Sequence, residues 1–249
     1  MIKSGFKTDV GRRRERNEDA LLLLPKENLF AVADGVGGQN CGDFASRKAV
    51  NGIEEFLYAN PVDNAGALEG KYRKNWFKSY FLRCFQKINN DILGAAARDP
   101  QKKGMATTAV VCYIENGKDL YVTNIGDSRA YIIRDEEISQ LTEDHTFVNS
   151  LINSGALTKS EARTHPKKNV ITRALGVEYN IEPDFYLYNL DPGDLVILCT
   201  DGLSGELSDA EICGIALSDP DLNIKCKKLV NAANEKGGGD NITVICLEI

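Results

Sequence analysis

An α+β fold, with antiparallel sheet packed in layers against helices, is predicted by three features of this 249-residue chain. Short apolar runs rich in β-branched or aromatic residues have strand length. Two long stretches carry an apolar stripe of helical period. The strand signals between 107 and 134 follow one another at meander spacing, apart from the helical stretches, which disfavours a doubly wound α/β sheet.

The first predicted strand, Leu29–Ala33, ends at Asp34-Gly35. A helix over Asp43–Tyr58 follows, because Ala45, Ala49, Ile53, Phe56 and Leu57 recur on one face. Asn75–Arg98 repeats the pattern with Phe77, Phe81, Cys84, Phe85, Ile88 and Ile92, and these aromatics are expected in the core. Strands are then predicted at Thr107–Ile114, Leu120–Ile125 and Arg129–Arg134, several of them ending at Asn-Gly or Gly-Asp turns. Asp144–Asn169 holds two short helical patterns between strand signals and reads as a substantial insertion, with Gly155 a hinge or helix stop. Leu195–Thr200, helices at Asp209–Leu217 and Leu222–Lys236, and a last strand at Ile242–Ile249 complete the series. With dispersed prolines and no linker or repeat, residues 1–249 are expected to form one domain.

Composition narrows the function. The chain has 30 Lys+Arg against 36 Asp+Glu, a formal charge of −6, and is 43% hydrophobic. Disordered and collagen-like classes are excluded, and an acidic balance lacks the positive field that nonspecific nucleic-acid or anionic-membrane binding needs. The longest apolar runs, such as Ala20–Leu24 and Leu195–Cys199, fall far short of the roughly 20 residues of a membrane span. The N-terminus carries no apolar segment of signal-peptide length, so the expected location is the cytoplasm. Seven scattered cysteines without a C-x-x-C pair are expected as buried reduced thiols. Only two histidines are present, His145 and His165, which argues against a His-built zinc site.

The candidate chemistry lies in acidic residues placed beside glycines at strand ends. Asp34 follows LFAVA, Asp127 follows YVTNIG, Asp201 follows LVILCT, and Asp240 precedes the last strand. A single Asp-Gly is a turn. Four carboxylates gathered at the ends of separate strands would repel one another unless divalent cations neutralised them. Oxygen ligands with open water positions suit Mg²⁺ or Mn²⁺, and a carboxylate-bridged pair of such ions activates a water for attack at phosphorus. The run Arg12-Arg13-Arg14-Glu15-Arg16 offers a guanidinium for the phosphate.

Eight segments in order then resemble the metal-dependent type-2C protein Ser/Thr phosphatases, the PPM family, in its compact bacterial form. They are Asp9-Val10-Gly11 through Arg14 to Asn17-Glu18-Asp19, DGVGG at 34–38, Gly104-Met105-Ala106-Thr107-Thr108, Gly126-Asp127-Ser128-Arg129, Leu141-Thr142-Glu143-Asp144-His145, Ile171-Thr172-Arg173-Ala174-Leu175-Gly176, Thr200-Asp201-Gly202-Leu203 and Gly239-Asp240-Asn241. The resemblance implies a four-layer α-β-β-α sandwich, two central mostly antiparallel sheets flanked by helix pairs, with a flap at about 144–170. It implies hydrolysis of phosphoserine and phosphothreonine at two Mn²⁺ or Mg²⁺ ions, a metal-activated water attacking in line without a phosphoenzyme.

Position by position, it makes Asp34 the bridging and catalytic carboxylate, Gly35 a ligand through its carbonyl, and Asp201 and Asp240 the completion of the first ion's shell. Glu18 contacts the second ion with Asp19 in support, Asp127 joins Asp201 at a third, weaker ion, and Arg14 receives the phosphate. Arg12, Arg13 and Arg16 are expected at the surface. Where many relatives have Asp-Gly-His this chain has Val36, so the proton for the leaving alcohol has another source, and His145 and His165 are expected to serve local packing and hydrogen bonding.

The implied partners are phosphorylated proteins and an opposing Ser/Thr kinase, with no nucleic acid, no membrane and a monomeric state. Two ions would bring the formal charge from −6 to −2, and a third to zero. No cysteine is expected to form the C-x₅-R loop of a cysteine-nucleophile phosphatase. A binding module that has lost catalysis is disfavoured by the retained Asp34, Asp201 and Asp240, and a metal nuclease by the acidic balance. A phosphatase dedicated to one regulator, such as an anti-sigma-factor antagonist, remains an alternative to one of broad substrates.

Overall fold

The computed structural model describes residues 2–37, 41–62 and 68–249. With strands numbered in chain order, one sheet runs β1 (Lys3–Asp9), β11 (Ile242–Glu248), β10 (Leu195–Cys199), β7 (Arg129–Arg134), β8 (Glu137–Gln140). The other runs β2 (Asp19–Leu24), β3 (Leu29–Val36), β5 (Ala109–Glu115), β6 (Asp119–Ile125), β9 (Asp184–Asn189), with β4 (Ala106–Thr107) also pairing β3. All of these pairings are antiparallel.

Residue parity on the strands decides the layering. Phe30, Val32, Val110, Cys112, Val196, Leu198, Ile245 and Leu247 point between the sheets. Their neighbours point outward: Ala31, Ala33, Val111 and Tyr113 meet helices α1 (Gly42–Ala59) and α2 (Gly70–Arg98). Ile197, Cys199, Val244 and Cys246 meet α6 (Asp209–Leu217) and α7 (Leu222–Lys236). Strands apolar on both faces are what a sheet covered on both sides requires, each buried Leu, Ile or Phe contributing roughly 1.5–3 kcal/mol of transfer free energy. The result is the four-layer α-β-β-α arrangement.

The two stripes occupy α1 and α2 as expected, with Phe77, Phe81, Phe85, Ile88 and Ile92 buried. The bounds of α6 and α7 agree with the sequence reading. Four strands had no counterpart in that reading: β1, β2, β8 and β9. All four are sheet edges; β1 and β8 carry no continuous apolar run, which an edge strand does not need, whereas β2 and β9 hold the runs Ala20–Leu24 and Phe185–Tyr188 that the sequence reading did not assign to strands. The run predicted at Thr107–Ile114 is broken at Thr108 into β4 and β5, and β3 runs on to Val36, so Asp34 and Gly35 lie within a strand and not after it. All seven cysteines are buried free thiols, as expected.

The flap lies between β8 and β9. Its helix α3 (Phe147–Asn153) is capped by Thr146, whose side chain accepts from the Asn149 N–H. Gly155 stops it at φ +75°, with the Ala156 N–H returning to the Leu151 carbonyl at 2.8 Å. Helix α4 (Lys159–Thr164) begins on a Thr158/Glu161 capping box.

Candidate active site

The site assembles from chain ends of both sheets. Register across β2 and β3 sets Asp19 directly opposite Asp34. From the other sheet, Thr200 at the end of β10 donates its hydroxyl to Asp19 Oδ2 at 2.8 Å and accepts the Thr243 N–H at 3.0 Å. The next residue, Asp201, opens the short helix α5 (Asp201–Ser204).

Asp34 is held by its backbone. Its N–H donates to Thr108 Oγ1 at 3.0 Å, and its carbonyl accepts from the Thr108 N–H at 2.9 Å and Thr107 Oγ1 at 2.8 Å. Thr108 Oγ1 in turn shares a 2.6 Å hydrogen bond with Ser128 Oγ, so the Asp34 strand and the Asp127 turn are fastened together.

The N-terminal loop is clamped from the far end of the chain. Asn241 Nδ2 donates to the carbonyls of Val10 and Arg16 at 2.8 Å, and Asn241 Oδ1 accepts the Glu18 N–H at 2.8 Å. This delivers Arg14 Nη2 to Asp240 Oδ2 at 2.7 Å, a pairing that raises the guanidinium pKa. Arg12, Arg13 and Arg16 are exposed, as expected. A Cβ built on Gly42 would lie 2.6 Å from the Gly35 carbonyl oxygen and 2.7 Å from Glu18 Oε2, so those two oxygens share a cradle that only glycine leaves open.

Burial and mutual repulsion act on the acids together. Burial first, then the charges of Asp201, Asp19 and Asp127, push the Asp34 carboxyl well up. Burial raises Asp19 to about 7 against the hydrogen bonds of Thr243 and Thr200. Asp127 is raised to about 8 by burial and then by Asp201 and Asp144. Asp201 is raised by burial and by Asp240, and Glu18 by burial and Asp43.

Among the described residues, the buried side-chain oxygens without a hydrogen-bond partner include Asp19 Oδ1, Asp127 Oδ1 and Asp201 Oδ1. Leaving such an oxygen buried and unmet costs about 1–3 kcal/mol. No three His, Cys, Asp or Glu side chains of the described residues converge into a ready cation cage. Asp34 instead faces the charge of Asp201, while Asp240 is ion-paired with Arg14. Hard, anionic, partnerless oxygens beside a backbone carbonyl fit Mg²⁺ or Mn²⁺ with water completing the shell. A cavity of about 420 Å³ runs from Asp127 and Asp201 to Lys159, Arg163 and Lys168 of the flap.

Four residues that hold the acids had no role in the sequence reading: Thr108, Ser128, Thr200 and Asn241. Each lay inside a segment already singled out, and its signal was a polar residue at the end of an apolar strand. Cys41 does have the C-x₅-R spacing, with Arg47. It forms no phosphate loop, because residues 42–46 are the first turns of α1, the thiol donates to the Gln101 carbonyl at 2.9 Å, and Arg47 pairs with Asp43. His145 has both ring nitrogens engaged and His165 packs on Phe147 with ring centroids 6.1 Å apart, in accord with local roles. The Gly38 position of DGVGG lies outside the described residues.

Residues 10–237 match the family model described as Protein phosphatase 2C. The protein phosphatase PhpP of Streptococcus pneumoniae is 38% identical over 95% of this chain and 93% of its own length. The structure of a serine/threonine phosphatase of S. agalactiae superposes with a TM-score of 0.89 at 32% identity, covering both chains completely. The catalytic domain of the serine/threonine phosphatase PstP, solved in complex with two manganese ions, superposes with a TM-score of 0.83 at 30% identity over 99% of this chain and 97% of that one.

Proposed function

The chain belongs to the protein phosphatase 2C family and is a protein serine/threonine phosphatase, and from that premise we propose how its own residues carry the reaction. The observation that carries the assignment is the cluster of Asp19, Asp34, Asp127 and Asp201, whose pKa values are all raised and three of whose oxygens are buried without partners. Asp34, Asp201, Asp240 and the Gly35 carbonyl would hold two Mn²⁺ or Mg²⁺ ions, with Glu18 and Asp19 assisting at the second, and Asp127 with Asp201 would take a third, weaker one. When bound, the ions supply Lewis acidity that lowers the pKa of water and withdraws charge from phosphoryl oxygens.

Asp34 fits the central position because its backbone is fixed on both sides by Thr107 and Thr108, so the carboxylate needs no reorganisation as charge develops. Arg14 stands at the rim, its side chain 53% exposed and steered by Asp240, where it can pair with phosphate oxygens. Val36, 40% exposed, supplies no proton to the leaving alcohol. Both ring nitrogens of His145 are engaged within the protein, so that proton comes from a metal-bound water or another group.

The substrates are phosphoserine and phosphothreonine proteins made by an opposing Ser/Thr kinase, acted on in the cytoplasm by a monomer of one catalytic domain, without nucleic-acid or membrane association. In support, no helix of the described residues is long and apolar enough to cross a membrane.

Two results test the reading. Phosphate release from a phosphothreonine peptide should require Mn²⁺ or Mg²⁺ and stop on chelation; turnover in metal-free buffer would contradict it. Arg14→Ala should raise KM by about 10- to 100-fold, the equivalent of a lost charged hydrogen bond of roughly 1.5–3 kcal/mol, with a smaller change in kcat. Arg14→Lys should fall between, because an ammonium lacks the two-pronged fork. An unchanged KM in the alanine variant would remove Arg14 from the phosphate site.

A further inference from the structure

His145 stands where the flap begins and is 3% exposed. Its backbone N–H donates to the Gly126 carbonyl at 2.9 Å, and its ring Nδ1 accepts the Gly126 N–H at 3.1 Å. A ring nitrogen that accepts an N–H carries no proton, so the proton of the neutral ring is on Nε2. That nitrogen lies 3.1 Å from Asp184 Oδ2 and donates to it. Burial lowers the His145 pKa and keeps the ring neutral, against the raising influence of Asp184. Asp184 is itself fixed by the Tyr186 hydroxyl at 3.0 Å and by Arg173 Nη1 at 3.1 Å.

Both strands of the flap's neck meet at this histidine. The Thr172 N–H donates to the His145 carbonyl at 2.8 Å, and Thr146 bridges to Ile171. On its other side, His145 grips the peptide that leads into Asp127, a buried carboxylate with one oxygen unpartnered that lines the flap cavity together with Asp201. The far flank of the same turn is pinned by the Ser128–Thr108 hydroxyl pair to the Asp34 strand. The Gly126–Asp127 turn is thus held at two points, one belonging to the Asp34 strand and one to the flap.

We propose that the Asp184–His145 pair is a positioning device: by presenting a bare Nδ1 to the Gly126 N–H, it aims Asp127 at Asp201 and ties the neck of the flap to the cation those two carboxylates hold. This rests on the reading of Asp127 as a ligand of the third ion. His145 touches neither substrate nor ion. It acts through Gly126, as outer partners of metal ligands do, where substitution typically costs about 10- to 100-fold in affinity.

Two isosteric replacements separate the two ring nitrogens. In His145→Asn the side-chain oxygen can stand at the place of Nδ1 and accept from Gly126. In His145→Gln the amide nitrogen can stand at the place of Nε2 and donate to Asp184, with no acceptor left for Gly126. Calorimetric Mn²⁺ titration of the metal-stripped full chain, with circular dichroism as the check on folding, should show His145→Gln weakening the weakest-binding ion by about 10-fold or more. The tighter ions and the His145→Asn variant should stay within about 3-fold of the parent.

Equal losses in both variants, equal losses at every ion, or no loss in His145→Gln would overturn the proposal. Asp127→Asn is the companion control. If it binds every ion as the parent does, Asp127 is no ligand and the proposal falls with that reading, whereas loss of the weakest ion in Asp127→Asn alone upholds the ligand and removes His145. Should His145→Gln not fold, the nitrogen-15 spectrum of the Mg²⁺-loaded parent decides. Only two histidines are present, and the buried one must show the neutral Nε2–H tautomer; an Nδ1–H tautomer overturns the assignment.

Discussion

Asp201→Asn is expected to lower kcat on a phosphothreonine peptide by at least about 10³-fold while raising the melting temperature of the metal-free protein by a few degrees. The two effects share one cause. Asp201 sits among Asp34, Asp127 and Asp240 with a buried oxygen that no donor meets. Its charge opposes folding in the absence of cations and is needed to hold them. Asparagine keeps the shape of the side chain, and the Asp201 carbonyl that accepts the Gly205 N–H at the start of α5 is untouched, so the local fold survives. Removing one like charge from the cluster relieves on the order of 1 kcal/mol, which for a chain of this size corresponds to about 2–4 °C. Loss of preorganised transition-state stabilisation at a single position commonly costs 10²–10³ in kcat, and losing a shared ligand should lie at or beyond the top of that range. Steady-state kinetics and a thermal melt in chelator are the measurements. A variant that keeps turnover within about 10-fold of the parent would show that Asp201 is not a ligand.

The second large effect is metal stabilisation with a definite pH dependence. An ion at 100 times its dissociation constant adds about 2.7 kcal/mol to folding, so each bound Mg²⁺ should raise the melting temperature by about 5–10 °C. The sign of the pH dependence follows from the raised carboxyls. Asp19 at about 7 and Asp127 at about 8 both lie above the ordinary value of 3.8 that they recover on unfolding. In the absence of cations the folded form therefore binds more protons. The stability those protons supply is fully present below about pH 4 and is lost as pH rises through 7 and 8. Cations replace what the protons leave, so the gain from Mg²⁺ should be larger at pH 8.5 than at pH 6. Thermal melts with and without Mg²⁺ at the two pH values test this. A melting temperature that ignores Mg²⁺, or a gain that shrinks towards alkaline pH, would mean that these acids do not share their site with a cation.

Much of the fold was legible because both strongest signals are local. An apolar run such as Leu195–Cys199 buries both faces whatever lies beside it, and the stripe from Phe77 to Ile92 has only one face to bury. The edge strands β1 and β8 were not legible for the complementary reason. Lys3–Asp9 and Glu137–Gln140 are held by the backbone ladders of β11 and β7 more than by their own side chains, and composition carries little trace of a ladder. The break at Thr108 was likewise hidden inside an apolar run, since its purpose is to turn a hydroxyl towards Asp34.

The candidate site divides along the same line. The acids and their glycines stand out in the sequence because an aspartate closing a hydrophobic strand is costly unless something meets its charge, and that is a property of a few consecutive residues. Their mutual arrangement depends on register and on which strand ends share one edge of the sandwich. Only the folded chain sets Asp19 across from Asp34, brings Asn241 against a loop more than 220 residues earlier, seats Arg14 on Asp240, and places His145 behind Asp127. The sequence by itself determined which chemical groups the protein has and on which elements they ride. The tertiary structure alone decided which of them touch, because hydrogen bonds between distant segments are selected by sheet pairing and shared burial, and neither is encoded at any single position.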